Sequence, residues 1–256
     1  MSVNVLIIGY GTVGRNLASE IIDINPDIVD KYKPEVNTIR NIKYDLGFIC
    51  VDTPLKEDKL DITEVENAIN EYDCQIYCIK STCPVGTVDK LCTKFNKNFV
   101  FSPEYYGATK HCNNYTFDFT ILGGDKQICN KIIQILMPCY DARHLFKQVE
   151  PKLAELTKFM ENSFLATKVS FCQSFYNICK HLDISYEELR QLFILDPRVN
   201  ASHTFVFEDH PYWDSHCLNK DVVAITKQYN LELLNAVILF NNNQKLMEDT
   251  DAKKKI

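Results

Sequence analysis

"VNVLIIGYGTVGRNLASEIIDI", residues 3–24, decides the fold. Residues 3–8 are an apolar run of strand length. Gly9, Gly11 and Gly14 follow at once in the spacing GxGxxG, and residues 15–24 suit a helix. Strand, glycine turn and helix in that order form the context of a dinucleotide-binding turn. The first glycine permits the tight turn, the second lets the backbone approach a pyrophosphate, and the third lets helix and strand pack closely. The helix N-terminus then offers unpaired N–H groups and the positive end of its dipole to the phosphates.

Such a turn calls for an acid about 20 residues on, at the end of the second strand, to hydrogen-bond the adenosine ribose. After the turn "NP" (25–26), "DIVDKYKP" places Asp30 at a strand end, 21 residues past Gly9. Asp23 is a rival, but it would leave the preceding helix under three turns. Asp30 is the choice, and a carboxylate there favours NAD over NADP; Lys31 and Lys33 leave that preference open to challenge.

Further apolar runs read as strands: "LGFICV" (46–51), "QIYCIK" (75–80), "NFVF" (98–101) and "FTILGG" (119–124). Helix-compatible stretches separate most of them, notably 61–72 and 126–136. This alternation argues for an α/β fold, a Rossmann-type doubly wound parallel sheet, whose ligands collect at the carboxyl ends of the strands. Those ends carry "CVDTP" (50–54), "KSTCPVGT" (80–87) and "SPEYY" (102–106). After about residue 148 the strand signals vanish. Pro151 suits a first helical position, and no Pro or Gly follows until Pro197, so one long spine helix over 151–181 is expected. Ser185 with Glu188 reads as a capping box for a helix through Phe193, and two more helices are expected over 219–229 and 231–247. The expected domains are 1–148, Rossmann-type, and 149–256, all-helical on the spine helix.

A net charge of −6 argues against nucleic acid, which is bound mainly through Lys and Arg neutralising phosphates. No stretch reaches the roughly 20 apolar residues needed to cross a bilayer. The first residues lack a basic leader, and eleven cysteines without an export signal point to a reducing compartment, the cytoplasm. Cys74 and Cys78 lie four apart on an expected strand, so both should face the same way. With no second pair or histidine nearby in sequence, core packing outweighs a metal site, and no metal is expected.

"GYGTVG", "CVDTP", "KSTCPVGT", "SPEYY", "LAELTKFMENSFLATKVSF" (153–171) and "CLNKD" (217–221) occur in the order and at roughly the spacing of the UDP-glucose/GDP-mannose dehydrogenase family, which the chain resembles from residue 3 to about 225. The resemblance implies a four-electron oxidation of a nucleotide sugar's C6 alcohol to the uronic acid, reducing two NAD in turn. By alignment Cys217 is the nucleophile that carries a thiohemiacetal and then a thioester, a role that suits a thiolate near neutral pH. Lys158 and Asn162, on one face of the spine helix, would steady the developing oxyanion. Asp221 would orient water and the lysine, and Thr82 would help hold that water. Glu104 would serve as acid/base in thioester hydrolysis. Lys220 matches the aspartate's neighbour and has only a structural role to claim. Tyr105 joins Glu104, Lys158, Asn162, Arg198 and Cys217 at the sugar, Arg198 reaching the neighbouring subunit's site in a homodimer. Gly9, Gly11, Thr12, Val13, Gly14, Asp30, Val51, Thr53, Ser81 and Thr82 would line the NAD site. Lys168, ten residues past Lys158, reads as ordinary surface.

The pattern breaks in four places, one of them the "NE" pair that often follows the long-helix motif, where Cys172, Gln173 and Ser174 stand here. The family's G-F-G-G loop before the nucleophile is Tyr212, Trp213, Asp214 and Ser215 here, with His216, expected to point to solvent, beside the cysteine. A second family glutamate, four past the first, is Ala108. Thirty-five residues follow Asp221, so the chain reads as a short form lacking the C-terminal UDP-binding domain. The alternative is a catalytically degenerate member that binds NAD or a nucleotide sugar without turnover.

Overall fold

The structure is a computed structural model and describes residues 3–106 and 117–254, with side chains up to residue 247. Ala108 lies outside the described residues. Two compact units emerge: residues 1–56 with 60–158, and residues 57–59 with 159–256.

The first unit is built on β1 (Val5–Ile8), every residue of which is buried. A strand covered on both faces needs a continuous apolar run, which VLII supplies. After the glycine turn comes α1 (Thr12–Glu20), then β2 (Asp27–Val29) and β3 (Tyr44–Ile49). A short ribbon, β4 (Leu55–Lys56) and β5 (Lys59–Leu60), precedes α2 (Thr63–Glu71). β6 (Cys74–Ile79), α3 (Thr87–Phe95), β7 (Asn98–Phe101), β8 (Phe119–Gly123), α4 (Lys126–Leu136) and β9 (Leu145–Val149) follow. Seven strands form one sheet in the order β2-β1-β3-β6-β7-β8-β9. The first five pair in parallel, with Ile8 opposite both Val29 and Ile49. β8 then runs antiparallel to β7, meeting it at Phe101 and Gly123, and β9 is parallel to β8. The sheet is therefore mostly parallel, with one antiparallel junction that the alternation of elements did not signal.

Helices cover both faces. Leu6, Ile8, Ile49, Tyr77 and Phe101 pack with Val65 of α2 and Val88 and Leu91 of α3. Ile7, Phe48, Cys78 and Val100 pack with Leu17 of α1 and Ile132 of α4. Each fully buried side chain of this kind contributes about 1.5–3 kcal/mol. Cys74 and Cys78 do not face the same way: Cys74 packs with the first cluster and Cys78 with the second. Cys74 is the first residue of β6, and its amide donates to the Tyr77 hydroxyl at 3.1 Å. Burial pushes both thiols up to about 12.

The second unit is helical. The spine helix, α5 (Pro151–Leu182), passes from the first unit into the second after Lys158. Next comes α6 (Tyr186–Phe193), whose N-cap Ser185 accepts from the Glu188 amide. α7 (His216–Tyr229) and α8 (Glu232–Lys254) are joined at Asn230, in the left-handed conformation at φ 52°. Ala166 of α5, Trp213, Leu218 and Val222 of α7 and Val237 of α8 form the core.

Candidate active site

In the first unit the strand order turns about β1, with β2 on one side and β3 on the other, the kind of switch point at whose carboxyl ends open α/β sheets bind their ligands. Gly9 sits there at φ +96°, and a Cβ on it would lie 2.6 Å from the Cys50 carbonyl oxygen. A Cβ on Gly14 would lie 1.9 Å from the Gly9 carbonyl oxygen, so strand and helix touch at this point. A Cβ on Gly11 would meet nothing within 4 Å. Packing thus accounts for two of the three glycines, and the open side of the third fits the approach of a pyrophosphate. Thr12 and Val13 open α1, whose N-cap, Gly11, supplies no side chain to its first amides.

Asp30 directly follows β2 and is buried. Its carboxylate accepts from the amides of Tyr10 at 2.6 Å and Tyr32 at 2.8 Å, tying the glycine turn to the strand end. Lys33 donates to the Tyr10 carbonyl at 2.9 Å, and Lys31 faces Glu64 at 3.6 Å. Ser81 donates to the Val51 carbonyl at 2.6 Å, and Thr53 donates to the Thr82 carbonyl at 2.7 Å. These hydroxyls cross-link the loops that leave β3 and β6.

Glu104 is buried beyond β7 and accepts from the Tyr106 amide at 2.9 Å. Two residues earlier, Ser102 accepts from the Lys80 ammonium at 3.1 Å. Lys158 is only 5% exposed, and its ammonium sits 5.1 Å from the centre of the Tyr105 ring. That ring packs in turn against Phe117 and Phe119. Glu155, one turn before Lys158, is fully buried and accepts from the amides of Gly86 and of Val88, the latter at 2.9 Å. It caps α3 and fixes the end of "KSTCPVGT"; burial raises its pKa against the pull of those amides. The sequence carries no local sign of this role, because the partners lie 67 and 69 residues away.

In the second unit Asp221 is fully buried in α7. One carboxylate oxygen accepts from Asn162 Nδ2 at 2.7 Å, and the other accepts from Lys220 Nζ at 2.7 Å. Asn162 and Lys220 are themselves 4% and 8% exposed, so a charge pair and an amide share one dry site. Cys217 lies one helical turn before Asp221, half-buried and second in α7. The positive end of a helix favours an anion at that position. Lys220 is thus part of the network rather than a bystander. Lys168 differs from the surface reading: it is half-buried and donates to the Asn200 carbonyl at 3.0 Å and to that of Ser202. Arg198 is exposed and paired with Asp196 at 2.6 Å. The altered loop is anchored, with Trp213 in the core and Asp214 bonded to Asn219 at 2.7 Å. Among the described residues no cluster of three metal-ligating side chains occurs, and no helix is long and apolar enough to cross a membrane.

Residues 152–243 match the central domain of the UDP-glucose/GDP-mannose dehydrogenase family. The UDP-glucose 6-dehydrogenase of Rickettsia typhi is 27% identical over 224 residues, 80% of this chain and 50% of the relative. The UDP-glucose 6-dehydrogenase YwqF of Bacillus subtilis is 28% identical over 225 residues, 79% and 50% respectively. The chain spans about half the length of the curated relatives it matches. In fold it is similar to the UDP-D-ManNAc dehydrogenase of Pyrococcus horikoshii, with a TM-score of 0.77 and 20% identity over 99% of this chain and 72% of that one.

Proposed function

The chain belongs to the UDP-glucose/GDP-mannose dehydrogenase family, and from that premise we propose that it oxidises the C6 alcohol of a nucleotide sugar to the carboxylate, using NAD and a covalent bond to Cys217. The observation that carries the reading is the buried Asn162–Asp221–Lys220 network one turn from a thiol at a helix N-terminus. NAD, when bound, accepts the hydride in each of the two oxidations. Gly9, Gly11, Thr12, Val13 and Gly14 would receive its pyrophosphate and Asp30 its ribose, with Val51, Thr53, Ser81 and Thr82 forming the wall of the crevice.

The chain's own residues have the following work. The C6 hydroxyl gives up its proton to solvent water as the first hydride is lost, which leaves an aldehyde. The Cys217 thiolate adds to its carbon, forming a C–S bond, and the oxygen takes up negative charge that Lys158 and Asn162 stabilise. Loss of the second hydride from that carbon gives the thioester on Cys217. Water, held by Thr82 and Asp221 with Glu104 as base, attacks the carbonyl; the C–S bond breaks, the acid leaves and the thiol is restored. Tyr105 would position the sugar together with Glu104.

The working form is a homodimer in a reducing compartment, the cytoplasm. An exposed apolar row on α5 supports the dimer: Met160, Phe164, Phe171, Phe175 and Ile178 follow the three-and-four spacing of one helix face. Arg198, exposed, would reach the partner's sugar. The test is a panel of nucleotide sugars, UDP-glucose and GDP-mannose among them, incubated with NAD and read as NADH formed. Turnover of at least one supports the reading; none across the panel refutes it. The pinned Tyr212–Ser215 segment favours one second reading, a member that binds without turnover. It predicts thermal stabilisation by NAD with no NADH.

A further inference from the structure

The loop before Cys217 is held from the last helix. Trp213, the chain's only tryptophan, is 6% exposed. Its amide donates to Asn241 Oδ1 at 2.8 Å, and its carbonyl accepts from Asn241 Nδ2 at 2.9 Å. Asn241 is itself 3% exposed, so one buried amide side chain on α8 satisfies both main-chain groups of one loop residue. The indole N–H donates to Ser170 Oγ on α5 at 3.0 Å. Asp214 then accepts from Asn219 and faces Lys245 of α8 at 3.2 Å. Ser215 caps α7 by accepting from the Leu218 amide at 3.2 Å. Cys217 comes two residues later. Each of the three residues that lead into α7 is therefore tied to α5, α7 or α8 by a side-chain hydrogen bond.

Two of these ties come from α7 itself and cannot fix where that helix begins relative to the rest of the unit. The Trp213 clamp can, because Asn241 stands 28 residues away on another helix. An amide that meets an N–H and a C=O together imitates a neighbouring β-strand, and no apolar residue of the same size can replace it. We propose that Asn241 is a positioning residue for Cys217, holding the first turn of α7, and with it the thiol, in place through the main chain of Trp213. The glycine loop of the family would let that turn flex, whereas the tryptophan and the clamp hold it. The proposal rests on the nucleophile reading only for its consequence on activity; the positioning is read on the thiol itself.

The experiment uses the full chain with Asn241→Leu and Asn241→Asp. The aspartate keeps an acceptor for the Trp213 amide and loses the donor to its carbonyl. Two signals are followed: the emission of the single tryptophan, and the rate at which iodoacetamide alkylates the Cys217 peptide by mass spectrometry. The rate is taken at about pH 9 and at about pH 10: a variant-to-parent ratio that is the same at both reports access, whereas a change in protonation would make it vary with pH. The expectation is a red-shifted emission and alkylation at least about threefold faster in Asn241→Leu, as local opening exposes the half-buried thiol, with Asn241→Asp between it and the parent. Should the leucine variant fail to fold, the aspartate variant carries the same two readouts. A red-shifted emission with Cys217 alkylated at the parent's rate overturns the proposal, as does an unshifted emission. Absence of nucleotide-sugar oxidation would refute the activity and leave this coupling standing, so the two failures are distinct.

Discussion

Replacing Asp221 by alanine should unfold the helical unit at markedly milder conditions. The carboxylate is fully buried and serves two donors at 2.7 Å, the Lys220 ammonium and the Asn162 amide. Its removal takes the opposite charge from an ammonium on a side chain only 10% exposed and the acceptor from an amide 4% exposed. Breaking a buried pair from one side costs about 3–5 kcal/mol, because the remaining charge has lost its water and now this carboxylate. For a chain of this size, each kcal/mol moves the melting temperature by roughly 2–4 °C, so a fall of about 6–20 °C is expected. Asp221→Asn keeps the shape and one acceptor and should fall between. Lys220→Met with Asp221→Leu removes both charges and should recover most of the loss, since a well-packed apolar pair is often neutral relative to a buried ion pair. Urea unfolding followed by circular dichroism gives the three differences. A loss below about 1 kcal/mol for Asp221→Ala, or a double variant no better than the single, would refute this description of the network.

Gly11→Ala should leave the ligand-free melting temperature within about 2 °C, because its Cβ meets nothing, yet abolish most of the stabilisation that NAD confers. Gly14→Ala, whose Cβ falls on the Gly9 carbonyl, should cost more than about 2 kcal/mol without any ligand; equal melting temperatures for the two would contradict both assignments. Burial lowers the pKa of His144 and, joined by the charge of Lys168, that of His203, so the unfolded chain takes up protons that the folded chain refuses. Stability is then complete above about pH 6.5 and declines as the pH falls below it, and His144→Gln should flatten that decline in urea midpoints taken between about pH 7 and 5.5. A steeper decline in the variant would reverse the sign of the argument.

Much of the sheet was legible because its strands are buried on both faces and therefore read as unbroken apolar runs. β9, "LFKQV", was not: it lies on the sheet edge, none of its residues is fully buried, and two of them are polar. The antiparallel junction at β7 and β8 was hidden for a different reason, since apolar runs fix a strand's existence and not its direction. In the helical unit the capping residue Ser185 announced α6, because that signal is local. The candidate site was legible only as a set of positions. Asp221 meets Asn162 across 59 residues, and Asn241 meets Trp213 across 28. Lys168 looked like a surface lysine until the chain at 200–202 folded back over it. Such partnerships are made by tertiary packing, and no spacing rule reports them.

Whether Cys217 carries the substrate between two oxidations is decided by counting the NADH released per nucleotide sugar consumed, in the parent and in Cys217→Ala. Covalent catalysis requires two NADH and a uronic acid from the parent, and no acid from the variant. One NADH per sugar from the parent, or acid formed as well without the thiol, would contradict it.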